Sequence, residues 1–207
     1  MLIENLIKTI HRQFSKDVTY PEKSSEELLV IVDHINDAIE EYENCVREGY
    51  FWPELKTVET DFVFGGTGED NLPSDFLSFM GRFSRELGSC RPTIEIGGAI
   101  YEEVGANEGI TRKQQGDNTS FVFWVEGGKV MTLPGANATM DLPYIKKHTR
   151  YSTGEETAEP EMANPMFIKD YALAKLFLDN EDDVLYQSYM TQAGERLKQM
   201  KYKSLNN

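Results

Sequence analysis

The residues best suited to chemistry in this chain are few and scattered. Histidines stand at His11, His34 and His148, and cysteines at Cys45 and Cys90. Acid–base or nucleophilic catalysis needs such a group beside the partner that activates it. None of the five lies at a metal-ligand or C-x-x-C spacing from another. The cysteines read as two small apolar side chains, and the histidines as ordinary surface or boundary residues. H-E-x-x-H, G-x-S-x-G and the dinucleotide fingerprint do not occur. Gly65-Gly66-Thr67-Gly68 has the glycines of a phosphate loop without its Lys-Ser/Thr, and reads as a turn. The densest carboxylate cluster is Asp179, Glu181, Asp182 and Asp183. It lacks the glycine and the closing glutamate of a calcium loop, and reads as acids at the positive end of a helix dipole. The sequence thus predicts no enzyme, no catalytic residue, no cofactor and no metal site.

These residues sit in elements whose hydrophobic period changes twice. Leu2, Ile3, Leu6, Ile7, Ile10 and Phe14 recur at helical spacing. Ser24 with Glu27 offers a capping box for a long helix running to about Glu48, with Gly49 as its stop. Its apolar side carries Leu28, Ile31, Val32, Ile35, Ala38, Ile39, Tyr42 and Val46. Its opposite side carries an acidic stripe that includes Asp33, Asp37, Glu40, Glu41 and Glu48. From residue 57 to 150 the period is two, which predicts a β-rich unit. Val58, Thr60, Phe62 and Phe64 form one face of its first strand, and further strands are expected at 93–96, 99–104, 121–125, 129–133 and 139–145. Glu126-Gly127-Gly128 reads as a hairpin turn, and the polar stretch 105–119 as a mobile loop. At Pro73-Ser74-Asp75-Phe76, Asp75 is expected to cap a short helical turn and Phe76 to be buried. Helix returns at Asn164-Pro165, breaks at 179–183 and resumes with Val184, Leu185, Tyr189, Ala193, Leu197 and Met200.

The expected fold class is α+β: a bundle of terminal α-helices with a central antiparallel β-rich insertion, a small sandwich or barrel. The divisions are N-terminal helices at 1–56, the insertion at 57–150, and C-terminal helices with a basic tail at 151–207. Acidic residues number 35 against 21 basic ones, a net charge of −14. That balance disfavours a role in gripping nucleic-acid phosphates or an anionic membrane. No apolar run is long enough to span a bilayer and the first residues lack a signal-peptide pattern, so the chain is expected to be made in the cytoplasm without a membrane partner.

The order of these segments resembles the head-to-tail adaptor (connector) proteins of tailed bacteriophages. The resemblance rests on several features taken in order. A short helix precedes a long acidic one, which ends near Phe51-Trp52. Next come the signature Leu72-Pro73-Ser74-Asp75-Phe76-Leu77 and a hairpin ending in Leu133-Pro134. A strand ending in Tyr144 and the closing helical pair from Lys169 to Met200 complete it. The resemblance implies a structural virion protein at the head–tail junction. It would form a ring, commonly of twelve subunits, beneath the portal protein and joined below to a tail or neck protein. Viral DNA would pass through the channel without specific binding. The family brings no catalytic residues. An acidic wall would repel phosphates at close range, so Asp33, Asp37, Glu40, Glu41 and Glu48 could line the channel, or equally the exterior. At the other end Arg196, Lys198, Lys201, Tyr202, Lys203 and Leu205 are candidates for portal or subunit docking. Apolar spacing stops near Met200, so residues 201–207 read either as a frayed tail or as an arm that orders on a partner. A different class stays open: a monomeric ligand- or carbohydrate-binding β module with helical flanks.

Overall fold

The computed structural model describes residues 1–23, 25–47, 52–80, 82–83, 92–154 and 157–205. The chain forms an α+β fold that divides into two compact units. One comprises Met1–Leu55 with Lys147–Asn207, and the other Lys56–Lys146.

The helical unit is built from both chain ends. It contains α1 (Ile3–Ser15), α2 (Glu26–Arg47), α4 (Met166–Asp179) and α5 (Asp183–Leu205). Ser25 starts α2, its Oγ accepting the Leu28 amide at 3.2 Å; Ser24 and Gly49, the expected cap and stop, lie outside the described residues. Asn164 Oδ1 accepts the Met166 amide at 3.2 Å, so Asn164-Pro165 opens α4. Asp182 opens α5, its carboxylate accepting the Leu185 amide at 3.0 Å. The core joins Leu6, Ile7 and Ile10 of α1, Ile31, Ile35 and Ile39 of α2, and Phe167, Ile168, Leu173 and Leu176 of α4. α4 packs against α1, α2 and α5, so it is the centre of the unit.

The β unit has two sheets. Three strands run in the order β1 (Lys56–Gly65), β9 (Asn137–Lys146), β3 (Phe76–Phe79). Six run in the order β2 (Glu69–Asn71), β8 (Lys129–Leu133), β7 (Val122–Glu126), β6 (Ala99–Glu103), β5 (Pro92–Ile96), β4 (Arg82–Phe83). Phe62, Phe64, Phe79, Phe123, Ile96 and Leu142 form one core cluster. Gly127 and Gly128, at φ 58° and 76°, make the two-residue turn joining β7 to β8.

Four expectations are corrected here. The stretch 105–119 is not simply a loop: it contains a helix, α3 (Ala106–Gln114). That helix carries the chain back to its starting edge, which is why β6 and β7 pair parallel while every other described pair is antiparallel. The face pattern of β1 also changes midway. Between the pairs Glu59–Leu142 and Phe62–Met140, two residues of β1, Thr60 and Asp61, oppose the single Asp141 of β9, with Asp61 at φ 56°. This bulge flips the alternation, leaving Val58 52% exposed while Phe62 and Phe64 stay inside.

At Pro73–Phe76 the chain makes a turn, closed by the Phe76 amide on the Pro73 carbonyl at 3.0 Å, and enters β3 rather than a helix. Asp75 accepts the Tyr144 hydroxyl at 2.8 Å, and Phe76 is half-buried, stacked on Tyr144. Finally, Lys147–Arg150 belong to the helical unit, for the polar reasons given below.

Candidate functional site

The acidic stripe of α2 lies on its exposed face: Asp33, Asp37, Glu40 and Glu41 are all open to solvent, together with Glu26 and Leu29. Glu48 lies outside the described residues. No exposed basic residue is interleaved on the described part of this face. The stripe's field reaches across to Tyr171 on α4. Burial first, then the charges of Glu41, Asp37 and Glu40, push that phenol above its ordinary value. Asp37 is not wholly free, since His34 Nδ1 approaches it at 3.4 Å.

The basic end of α5 is less uniform than its sequence suggests. Arg196 is turned inward, its Nε paired with Asp170 of α4. Asp170 is 0% exposed and also meets Lys169 Nζ at 2.8 Å, so Arg196 fastens α5 to α4 rather than facing a partner. Lys198 and Lys203 are exposed, Lys201 is half-buried, and Tyr202 is 72% exposed. Of the stretch 201–207, read as a frayed tail or a docking arm, residues 201–205 continue the helix, and the Leu205 side chain lies outside the described residues. Lys201 to Leu205 contains no glycine or proline, so nothing in its chemistry stops a helix already under way.

The apolar spacing of α5 also misleads at its start. Ala193 and Met200 are buried and Tyr189 and Leu197 half-buried, but Val184 is 79% exposed and Leu185 is exposed. α5 packs chiefly on α4, through Tyr189 stacked on Phe177 and through the Asp170 pair.

The histidines are occupied structurally. His11 places Nδ1 2.9 Å from the Thr19 carbonyl and Nε2 3.1 Å from Glu27. His34 Nε2 lies 2.8 Å from Asp179, the last residue of α4. Asp179 is thus at the negative end of a dipole, not at a helix start as expected; Asp182 and Asp183 do begin a helix. His148 Nδ1 donates to the Thr149 carbonyl at 2.8 Å, and its Nε2 accepts the Glu161 amide at 2.9 Å. Burial pushes its pKa below the usual histidine value, which suits this neutral tautomer. Among the described residues, no group of three or more His, Cys, Asp or Glu is placed to hold a metal ion. No described helix is long and apolar enough to cross a membrane.

A set of polar residues on the inward side of α2 is hidden by its apolar spacing. Glu43 accepts the His148 amide and the Arg150 guanidinium, each at 2.7 Å. Asn36 exchanges two hydrogen bonds with the Tyr151 backbone, both at 2.9 Å. Glu54 accepts the Tyr42 hydroxyl at 2.5 Å and the Ala163 amide at 2.9 Å. Burial and the Glu54 carboxylate raise the Tyr42 phenol far above its ordinary value. These groups tie His148, Arg150 and Tyr151 to α2, and Glu54 joins Tyr42 of α2 to Ala163. A polar residue recurring within an apolar helix face, as at 36 and 43, was the available signal.

The helical unit therefore offers two chemically distinct exposed surfaces, the acid-only face of α2 and the mostly uncharged face of α5. In comparison with known proteins, no family model matches the chain, and no curated protein matches it.

Proposed function

We propose that this chain is a structural protein of a tailed-phage virion, the adaptor subunit that forms a ring between the portal protein and the tail. The observation that carries this reading is the architecture, a helical unit assembled from both chain ends around a β-rich insertion. A conduit for DNA has to avoid gripping it, and a chain of net charge −14 gives its wall no general attraction for phosphates. The motif order of the adaptor family supports the same reading, with the Leu72–Leu77 signature at the turn into β3.

The test is electron microscopy of the protein mixed with portal rings of candidate tailed phages. The adaptor reading expects a ring of density added beneath the portal. Absence of added density across the candidates, with the protein folded, would overturn it.

One observation favours the ligand-binding module instead. Phe79, Ile94, Ile100 and Met140, with Glu95 and Asp141, line a cleft of about 260 Å³ in the β unit. A monomer that binds a small ligand there, shown by chemical-shift changes confined to those residues, would favour the module.

A further inference from the structure

The exposed face of α5 is unusual for a chain of net charge −14. From Val184 it runs through Gln187, Ser188, Thr191 and Gln192 to Lys198, Gln199 and Tyr202, all exposed. Glu195 is its one acid, one turn from Lys198. Gly194 lies on the exposed surface of this helix, and a Cβ built there would meet nothing within 4 Å. An interior helical glycine normally carries a stability penalty relative to alanine, and no neighbour among the described residues accounts for this one.

We propose that this face is the docking surface for the α2 outer face of a second copy of the chain. The inference rests on the ring reading and gives it a lateral contact. Three features fit the two faces together. The first is charge. α2 presents carboxylates without cations, and α5 presents hydroxyl and amide donors with Lys198, which makes no ion pair among the described residues. Two copies meeting on their acidic faces would repel; meeting α5 to α2, they place donors against acceptors.

The second is spacing. With the helices parallel, Leu29, 48% exposed, lies against Val184 and Leu185, while Glu40 and Glu41 lie against Lys198. Those separations are about 17 Å on α2 and about 20 Å on α5 at 1.5 Å per residue. Gly194 falls between the two ends, where a bare backbone permits close approach.

The third is topology. α4 packs against both α2 and α5, which are not among the principal packed pairs, so the outer faces of α2 and α5 are two different surfaces of the unit. A contact joining two different faces is heterologous, and repeating it yields a closed ring or an open chain rather than a capped dimer.

The experiment uses the full chain with Leu29→Arg, damaging only the α2 face, and Val184→Arg, damaging only the α5 face. Both positions are exposed, and melting curves matching wild type establish folding. Native mass spectrometry and sedimentation are run at low salt up to millimolar protein. Wild type is expected to assemble beyond dimers, and each variant to stay monomeric. The equimolar mixture of variants is expected to give a one-to-one complex and nothing larger, because it retains one intact α5–α2 pair. Lys198→Glu is expected to weaken assembly at least about tenfold, and Glu40→Lys with Glu41→Lys to restore it. A wild type monomeric at millimolar concentration, variants that assemble normally, or a mixture that fails to pair each overturns the contact. Portal-bound rings that survive both single variants sink the contact and leave the adaptor reading standing. Assemblies that pair as described yet ignore portals do the reverse.

Discussion

Gly109 in α3 and Gly194 in α5 are both interior helical glycines, and their surroundings are opposite. A Cβ at Gly109 would lie 2.4 Å from the Trp124 ring, so only glycine lets α3 rest on that indole. A Cβ at Gly194 would meet open space. The first glycine is explained by the chain's own packing; the second is not. The same split divides the two sides of α5. Its inner side is fixed by Asp170, Tyr189 and Met200, and its outer side has Val184 in solvent. A feature that the chain's own contacts leave unexplained points to a contact made with another molecule.

The comparison is broken most severely at the inner side. Asp170→Ala leaves Lys169 and Arg196 without their shared buried anion, so stability should fall by about 3–5 kcal/mol in urea titration. A loss below about 1 kcal/mol would mean that apolar contacts alone hold α5 on α4. Next in size is Gly109→Ala, which forces the Trp124 ring or α3 to move and should cost about 1–3 kcal/mol. Indole fluorescence should report the displacement; an unchanged spectrum and midpoint would contradict the packing role.

His148 tests another region explained from within. Its folded pKa lies below the unfolded value of about 6.5, so the unfolded state takes up a proton first as pH falls. Its contribution is complete above that pH and is lost as pH drops toward the folded value. Melting temperatures of wild type should decline over this window, and His148→Gln should lack that component of the decline. The smallest effect is the sharpest contrast with Gly109. Gly194→Ala should stabilise the subunit by about 0.4–1 kcal/mol, measured in the Val184→Arg background so that association does not contribute. Destabilisation would show that the chain itself requires this glycine.

The periodic elements were legible because one period dominates each of them. α1, α2, α4 and six of the strands, β1 and β5 to β9, follow directly from residue spacing. α3 was hidden because only Ala106 and Ile110 face the core, and its glycine reads as loop until Trp124 is seen across from it. The β1 bulge was invisible because an inserted residue shows only against the partner strand. At the candidate site, the exposed acids of α2 were readable from the helical wheel. The fate of Arg196 was not, since Asp170 lies 26 residues away inside a largely apolar helix. The same blindness hid Glu43 and Asn36, whose partners return from beyond the whole β unit.

That return has a consequence for the order in which the chain is completed. The β unit is a continuous stretch, so all its partners are present once Lys146 has been made. The helical unit is discontinuous: α2 ends at Arg47, but α4, the helix at its centre, begins only at Met166. At synthesis rates of about 5–20 residues per second, the apolar face of α2 waits roughly 6–24 s for its covering. The β unit is therefore free to mature first, and closure of the helical unit must pay the loop entropy of everything between its two halves. In the nascent chain, the bare face of α2 is the surface most in need of a chaperone, and it is safe only when the C-terminal third has arrived.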